Sequence, residues 1–414
     1  MNLPDACVCH ILSFLDDDAL QTTKRVSKRL LSLSNSMRRV VDLRETREDV
    51  FARNLIVGNT GGITIGLRRF PPATGAPATY SPITGFPARY VKSVFMAGAS
   101  DDIYKCDLAY MARLEVQPLY YRTLTIPHLG ETLRTCAHIR TLIIPRVTIP
   151  QDGVHALATM PKLARLNISD AKIPPGTRVA FPPTLTDLNA SYCAIDSHNI
   201  GDLKKLKHLD ATDMGLDRDS LGKIMRLANL ETLDISWNDS WDDVGGGPPH
   251  DISRLAKLRS LSACMMANLR GYYRVNGIGA LRNLVSLELE NCNLWSADVA
   301  WMGAGTNIER INLSYNYIDA VGTAHMCRAT QFTAIDLSYN NVDDEGARAI
   351  TGQTRLETLD LQHNLITCEG ARELASMPLV TLVLARNLIA ETEAGEILDT
   401  SAIPHLNLGR QRKN

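Results

Sequence analysis

The chain has 414 residues, 45% hydrophobic and 6% aromatic, with a formal net charge of −1 at pH 7. It is long enough for a large core, and a charge so near neutrality gives no field that would draw nucleic acid or an acidic membrane surface. No run approaches the ~20 apolar residues that a membrane-crossing helix needs.

Nine cysteines are scattered at positions 7, 9, 106, 136, 193, 264, 292, 327 and 368, and none forms a C-x-x-C pair. That usage fits a reducing compartment without disulfides. The opening MNLPDACVCHILSFLDDD is too short in its apolar run, and too acidic, for a signal peptide. A cytoplasmic or nuclear protein is expected.

The first forty residues predict short helices. Pro4 suits a first helical turn, and Val8, Ile11, Leu12 and Leu15 fall at i, i+3, i+4 and i+7. Asp16, Asp17 and Asp18 break the stripe, and a further helix turns Val26, Leu30 and Leu33 inward. A unit this small buries too little apolar surface alone, so it needs a partner.

The order Leu3-Pro4, Ile11-Leu12-x-Phe14-Leu15, Val26-Ser27-Lys28-Arg29-Leu30 resembles an F-box over residues 3–34. It departs where Leu30 replaces the usual Trp and where Ala6 and Cys7 replace Glu-Leu. The resemblance implies binding to the Skp-type adaptor of a cullin ubiquitin ligase. By it, Leu3, Pro4, Ile11, Leu12, Phe14, Leu15, Val26 and Leu30 form or support that interface. The alternative is a helical cap that closes the end of a solenoid, and one segment can do both.

Residues 1–37 are thus read as an F-box-like unit, and 38–138 as degenerate N-terminal repeats. Arg38–Leu43 predicts a first strand. Residues 50–90 are expected to be irregular, with a Pro/Gly-rich loop at 70–90 that excludes a long helix. Strands are predicted at 91–99 and 121–129, so the repeats should begin near 90.

From 139 the period is clear. The skeleton L-x-x-L-x-L-x-x-N-x-I starts at 139, 163, 185, 206, 230, 258, 284, 308, 332, 356, 379 and 403. A period in the twenties on this skeleton is the leucine-rich-repeat signature, and it predicts an α/β solenoid, a horseshoe, over 139–414. Twelve strands about 4.8 Å apart give a parallel sheet on the order of 55 Å long, a surface for a macromolecule and not for a small-molecule substrate. Asn316, Asn340, Asn364 and Asn387 share one turn position, where a buried amide can satisfy backbone groups. Cys193 and Cys292 occupy the same position and read as small buried turn residues.

Helices are predicted on the convex side at 320–329, 344–353 and 368–377, and loops or short turns across 163–215. Gly322, Gly346 and Gly370 should let helix and sheet approach closely. The G-A-R-A-I and G-A-R-E-L segments resemble ribonuclease-inhibitor-like repeats and the bacterial F-box effectors called GALA proteins.

The third, fifth and seventh repeat positions should face a concave surface, with the eighth at its rim. The fifth gives an acidic and amide row that includes Asp336 and Asp360. The eighth gives Tyr192, Trp237, Met265, Tyr315, Tyr339 and His363. Tyr and Trp are enriched at binding hot spots, and an acidic row would attract a basic segment. The bland reading is that these are the ordinary solubility and turn residues of such repeats. Two longer repeats carry Trp241 in one insertion and Tyr272, Tyr273 and Arg274 in the next. These offer a second recognition patch, or side chains that staple their own loops.

No catalytic motif is present: no P-loop, dinucleotide-binding glycine pattern, H-E-x-x-H or G-x-S-x-G. Neither a cofactor nor a metal-ligand set is expected. The basic tail Arg410-Gln411-Arg412-Lys413 reads as a solvated terminus. The leading expectation is a non-catalytic adaptor, the substrate receptor of a Skp–cullin–F-box type ligase for a protein target. The alternative is a structural scaffold subunit of a large assembly.

Overall fold

The computed structural model describes strands at 55–58, 62–68, 91–97, 113–117 and 124–125, the helix at 129–135, and residues 139–411 except 194, 196–198, 239–250, 267–276, 304–305, 329–331 and 410. The predicted N-terminal helices, the strand at Arg38–Leu43 and the loop at 70–90 lie outside the described residues. So do Trp241, Tyr272, Tyr273 and Arg274. The chain divides into two compact units, 1–205 and 206–414.

In the first unit, β1 (Leu55–Gly58) and β2 (Gly62–Arg68) form an antiparallel hairpin. This corrects the expectation of irregular chain over 50–90. LIVG and GITIGLR are short β-branched runs separated by only Asn-Thr-Gly in the sequence, a local hairpin signal that the leucine period does not contain. Strand β2 then pairs in parallel with β3 (Val91–Ala97), and β3 with β4 (Arg113–Gln117). The rung after β3 is therefore RLEVQ, not the predicted 121–129. In that stretch β5 (Leu124–Thr125) leaves the main sheet and pairs with β7 (Val147–Thr148). The regular rungs follow as β6 (Thr141–Ile143), β8 (Arg165–Asn167) and β9 (Asp187–Asn189), in parallel register with β4. Helix α1 (Leu129–Thr135) and helix α2 (Gln151–Ala158) pack behind them, with Leu129, Leu133, Val154 and Leu157 buried. Between β8 and β9 no helix forms, as the prolines there predict.

The second unit is more regular. Its rungs are β10 (His208–Asp210), β11 (Thr232–Asp234), β12 (Ser260–Ser262), β13 (Ser286–Glu288), β14 (Arg310–Asn312), β15 (Ala334–Asp336), β16 (Thr358–Asp360), β17 (Thr381–Val383) and β18 (His405–Asn407). Each pairs in parallel with the next. Three residues suffice per rung because only the middle one enters the core. Leu209, Leu233, Leu261, Leu287, Ile311, Ile335, Leu359 and Leu382 are buried, and their neighbours on either side face outward. Each such side chain contributes about 1.5–3 kcal/mol by leaving water.

The return side carries α3 (Arg218–Ile224), α4 (Ala320–Met326), α5 (Asp344–Ile350), α6 (Cys368–Ala375) and α7 (Glu391–Thr400). The predicted helices at 320–329, 344–353 and 368–377 are thus present, each shorter by two or three residues at its C-terminal end. Their starts are set by caps that satisfy free backbone N–H groups. Asp217 accepts from Ser220, Asp319 from Val321 and Gly322, Asp343 from Gly346, and Thr367 from Glu369. The glycines act differently from expectation: they bring helix against helix, not helix against sheet. A Cβ on Gly346 would meet Val342 Cγ1 at 2.7 Å and Ala320 Cα of the preceding helix at 3.4 Å. One on Gly370 would run into Asp344 and Ala347 of α5. Outside that contact, Arg348 pairs with Glu369 and Glu373, and Arg372 with Glu393, each reaching the following helix.

The asparagine column binds the coils together. Asn364 accepts from Val342 N–H at 2.9 Å and donates to Leu337 O at 2.8 Å and Leu361 O at 3.1 Å. Asn316, Asn340 and Asn387 repeat the arrangement with their own neighbours. Asn238 belongs to the same column, accepting from Met214 and Leu216 and donating to Ala211. Where cysteine stands there, the thiol does part of the work. Cys193 accepts from Ala171 N–H and donates to Ile168 O, and Cys292 donates to Ala263 O. Burial pushes these thiols up to about 11 and about 12. At the far end Gln411 replaces asparagine, accepting from Asn387 N–H and donating to Leu384 O and Leu408 O. Part of the tail read as a solvated terminus is therefore a structural residue.

Candidate protein-binding surface

The face of the sheet opposite the helices is built from the fifth and seventh repeat positions. In the second unit the fifth position places Glu288, Asn312, Asp336 and Asp360 side by side on β13 to β16. These side chains also have a local task. Asp336 Oδ1 accepts from Ser338 N–H and Asp360 Oδ1 from Gln362 N–H, each at 2.8 Å. Asn312 makes the same bond to Ser314, and in the first unit Asn167 and Asn189 do so with Ser169 and Ser191. The turn therefore requires an acceptor, and either amide or carboxylate supplies one. The bland reading accounts for an acceptor at this position; it does not account for a charge.

Asp360 bears the cost of that charge. Burial, aided by the neighbouring Asp336 carboxylate, raises its pKa to about 6, against the opposing bond from Gln362. Among the described residues, none of Glu288, Glu290, Asp336 and Asp360 has an ion-pair partner. Asn312 Nδ2 lies 3.4 Å from Glu290 Oε2.

The eighth position edges this face, and the structure shows a backbone feature there that the sequence reading missed. Tyr192, Trp237, Met265, Tyr315, Tyr339 and His363 all have positive φ, between 56° and 61°. Asp170, Asp213, Asn291 and Arg386 do too. Among the described residues this position is left-handed from Arg146 to Arg386, which lets the N–H of most of these residues reach the next coil. Tyr315 N–H donates to Ser338 O, Tyr339 N–H to Gln362 O and His363 N–H to Ala385 O. Asn and Asp tolerate this conformation best, whereas a bulky side chain costs on the order of 1 kcal/mol.

Within the second unit the aromatic residues are not one continuous band. Tyr315 and Tyr339 stack with ring centroids 4.1 Å apart and planes at 9°. Tyr339 and His363 follow at 4.5 Å and 18°. Trp237, 51% exposed, is separated from this column by two coils, which carry Met265 and Asn291 at the same position. Met265 is half-buried, and its Sδ accepts from Asn291 Nδ2. Tyr192, exposed, belongs to the first unit. At the column, Gln362 donates to the Tyr339 hydroxyl at 3.2 Å, and Arg386 Nη1 lies 3.5 Å from the same oxygen. The hydrogen bond between the two phenols raises the pKa of Tyr315 and lowers that of Tyr339.

A second exposed pair went unread in the sequence. Trp295 and Tyr317 lie with centroids 5.3 Å apart just past the asparagine column, each 46% exposed. The signal was available: Tyr317 is aromatic where other coils carry Asn341 or Leu365, and Trp295 is aromatic where they carry Asp319, Asp343 or Thr367.

Comparison with known proteins agrees with this architecture. A model of the F-box domain matches residues 1–42. Leucine-rich-repeat models match 282–342 and 353–375. No curated protein matches the chain. Among solved structures, an internalin from Listeria monocytogenes aligns with a TM-score of 0.51 at 17% identity, over 72% of this chain and 88% of that one. A leucine-rich-repeat protein from Leptospira interrogans gives a TM-score of 0.48 at 16% identity, over 76% and 90%. At 17% identity the likeness to the internalin concerns the fold alone. With its F-box at 1–42 and the repeats that follow, the chain is an F-box/leucine-rich-repeat protein.

Proposed function

We propose that this protein is the substrate receptor of a Skp–cullin–F-box type ubiquitin ligase. The observation that carries the reading is the pairing of an F-box with leucine-rich repeats in one chain. An F-box supports binding of a Skp-type adaptor, and leucine-rich repeats support binding of a protein target. The mechanism is proximity. The repeats hold the target, the F-box holds the adaptor, and the effective concentration of the target near the catalytic partner rises. The reading places the protein in the cytoplasm or nucleus.

Two surfaces are proposed. Leu3, Pro4, Ile11, Leu12, Phe14, Leu15, Val26 and Leu30 contact the adaptor. The sheet face with Asp336, Asp360 and the Tyr315–Tyr339–His363 column contacts the target, together with Trp237 and the insertions that hold Trp241, Tyr272, Tyr273 and Arg274. Affinity purification of the full chain tests the first surface: the adaptor should be recovered and should be lost on Leu12→Asp with Leu15→Asp. A stably folded chain that recovers no adaptor, and instead a fixed multi-subunit assembly, would point to the scaffold role. For the second surface, Tyr315→Ala with Tyr339→Ala is compared with Trp241→Ala and Tyr273→Ala. Undiminished target binding in both double variants would remove this assignment.

A further inference from the structure

We propose that the sheet face from Glu288 to Asp360, edged by the Tyr315–Tyr339–His363 column, docks an extended peptide segment whose recognition depends on arginine or lysine. The proposal rests on the reading that the repeats hold a protein target, and it supplies the chemistry of that target.

Two independent features converge on this face. The first is the column. The chain accepts the left-handed turn cheaply with Asp213 and Asn291 elsewhere in the same unit, yet it places Tyr, Tyr and His at three successive coils. Their rings stack into one aromatic ridge, and aromatic faces attract guanidinium and ammonium groups. Arg386 already sets a guanidinium beside the hydroxyl of Tyr339, the middle ring of the ridge.

The second is charge where the turn needs none. Asn312 shows that an amide fulfils the local bond, but Asp336 and Asp360 are carboxylates in register on adjacent strands. Each spends Oδ1 on the turn, and no described side chain pairs with Oδ2. Glu288 on β13 and Glu290 just after it extend the acidic patch. The described cations nearby are Arg386 and Arg310, and Arg310 lies 3.8 Å from Glu309. A bound guanidinium or ammonium would relieve the repulsion between Asp336 and Asp360, and it would form charge-assisted hydrogen bonds with them.

The scale is that of a short motif. Glu288 to Asp360 spans three strand spacings, about 14 Å, which about four extended residues cover. Side chains on one side of such a segment recur every ~6.6 Å, so two basic residues at i and i+2 fit the patch.

The test is selection of a random dodecapeptide library on the full chain at pH 7.4. Enriched clones are then measured against D336N/D360N, which keeps both turn bonds and removes both charges. A charge control, E345Q/D399N, removes two carboxylates from the helical side. The expected result is enrichment of Arg and Lys, binding at least tenfold weaker to D336N/D360N, and near-unchanged binding to E345Q/D399N. Acidic or purely apolar clones, no enriched clones, or equal binding to D336N/D360N would overturn the proposal. Adaptor recovery is measured on the same variants. It should be unchanged, so failure of the peptide test is separable from failure of the ligase reading.

Discussion

Replacing Asn364 by alanine isolates the contribution of the amide column. The side chain is fully buried and joins the backbone of two coils through Val342 N–H and Leu337 O of the preceding coil and Leu361 O of its own. Alanine leaves one buried donor and two buried acceptors without that partner. An orphaned buried group costs about 1–3 kcal/mol, less for a carbonyl that keeps another bond. The expected total is about 3–5 kcal/mol, a large part of the roughly 5–15 kcal/mol by which a domain is stable. Because coils contact only their neighbours, the damage should be local first. Hydrogen exchange should therefore rise in peptides covering 337–387 before it rises elsewhere in the second unit. Urea unfolding followed by circular dichroism gives the overall loss. Asn341→Ala is the exposed control beside the column, and Asn364→Cys should be milder than alanine because Cys292 shows that a thiol can serve there. If Asn364→Ala cost less than 1 kcal/mol, or no more than Asn341→Ala, the column would not be the bond between coils.

Two further outcomes follow from the same structure. Asp360 has its pKa raised to about 6, so the folded chain binds that proton more tightly than the unfolded chain between about pH 4 and 6. Its contribution is present at low pH and is lost as pH rises through about 6. Asp360→Asn should flatten that part of the stability profile in urea titrations, and at pH 7 it should stabilise by on the order of 1 kcal/mol, discounted for partial exposure. An unchanged profile refutes the assignment. The glycines of the helices should respond with opposite signs in thermal unfolding. Gly346→Ala pushes a methyl into Val342 and Ala320 and should destabilise by about 1–2 kcal/mol despite its better helix propensity. Gly395→Ala meets nothing within 4 Å in α7 and should stabilise by about 0.5–1 kcal/mol.

What the sequence made legible follows from what repeats. The leucine skeleton, the asparagine column and the three helices after Asn316, Asn340 and Asn364 recur at one register, so their roles could be read from position alone. The misreadings arise where position does not decide. The hairpin at 55–68 is a local β-branched signal outside the period. RLEVQ keeps the rung alternation with Leu114 and Val116 but lacks the asparagine of the full skeleton. Gly346 and Gly370 were correctly read as close approaches, but periodicity along the chain does not say which neighbour approaches. The same holds for the rim: eighth-position residues could be placed at the edge, while the choice of which rings stack depends on the intervening Met265 and Asn291. Gln411 went unread because one extra methylene hides it among the basic residues of the tail.

The left-handed turn of each coil has a consequence for how this surface can change. Its backbone N–H is committed to the next coil, while its side chain sits at the edge of the sheet face and not in the core. A substitution there alters what the face presents and leaves the register of the solenoid intact. Each coil thus carries one letter that can be rewritten without respelling the fold, within the limit that bulky letters strain the backbone.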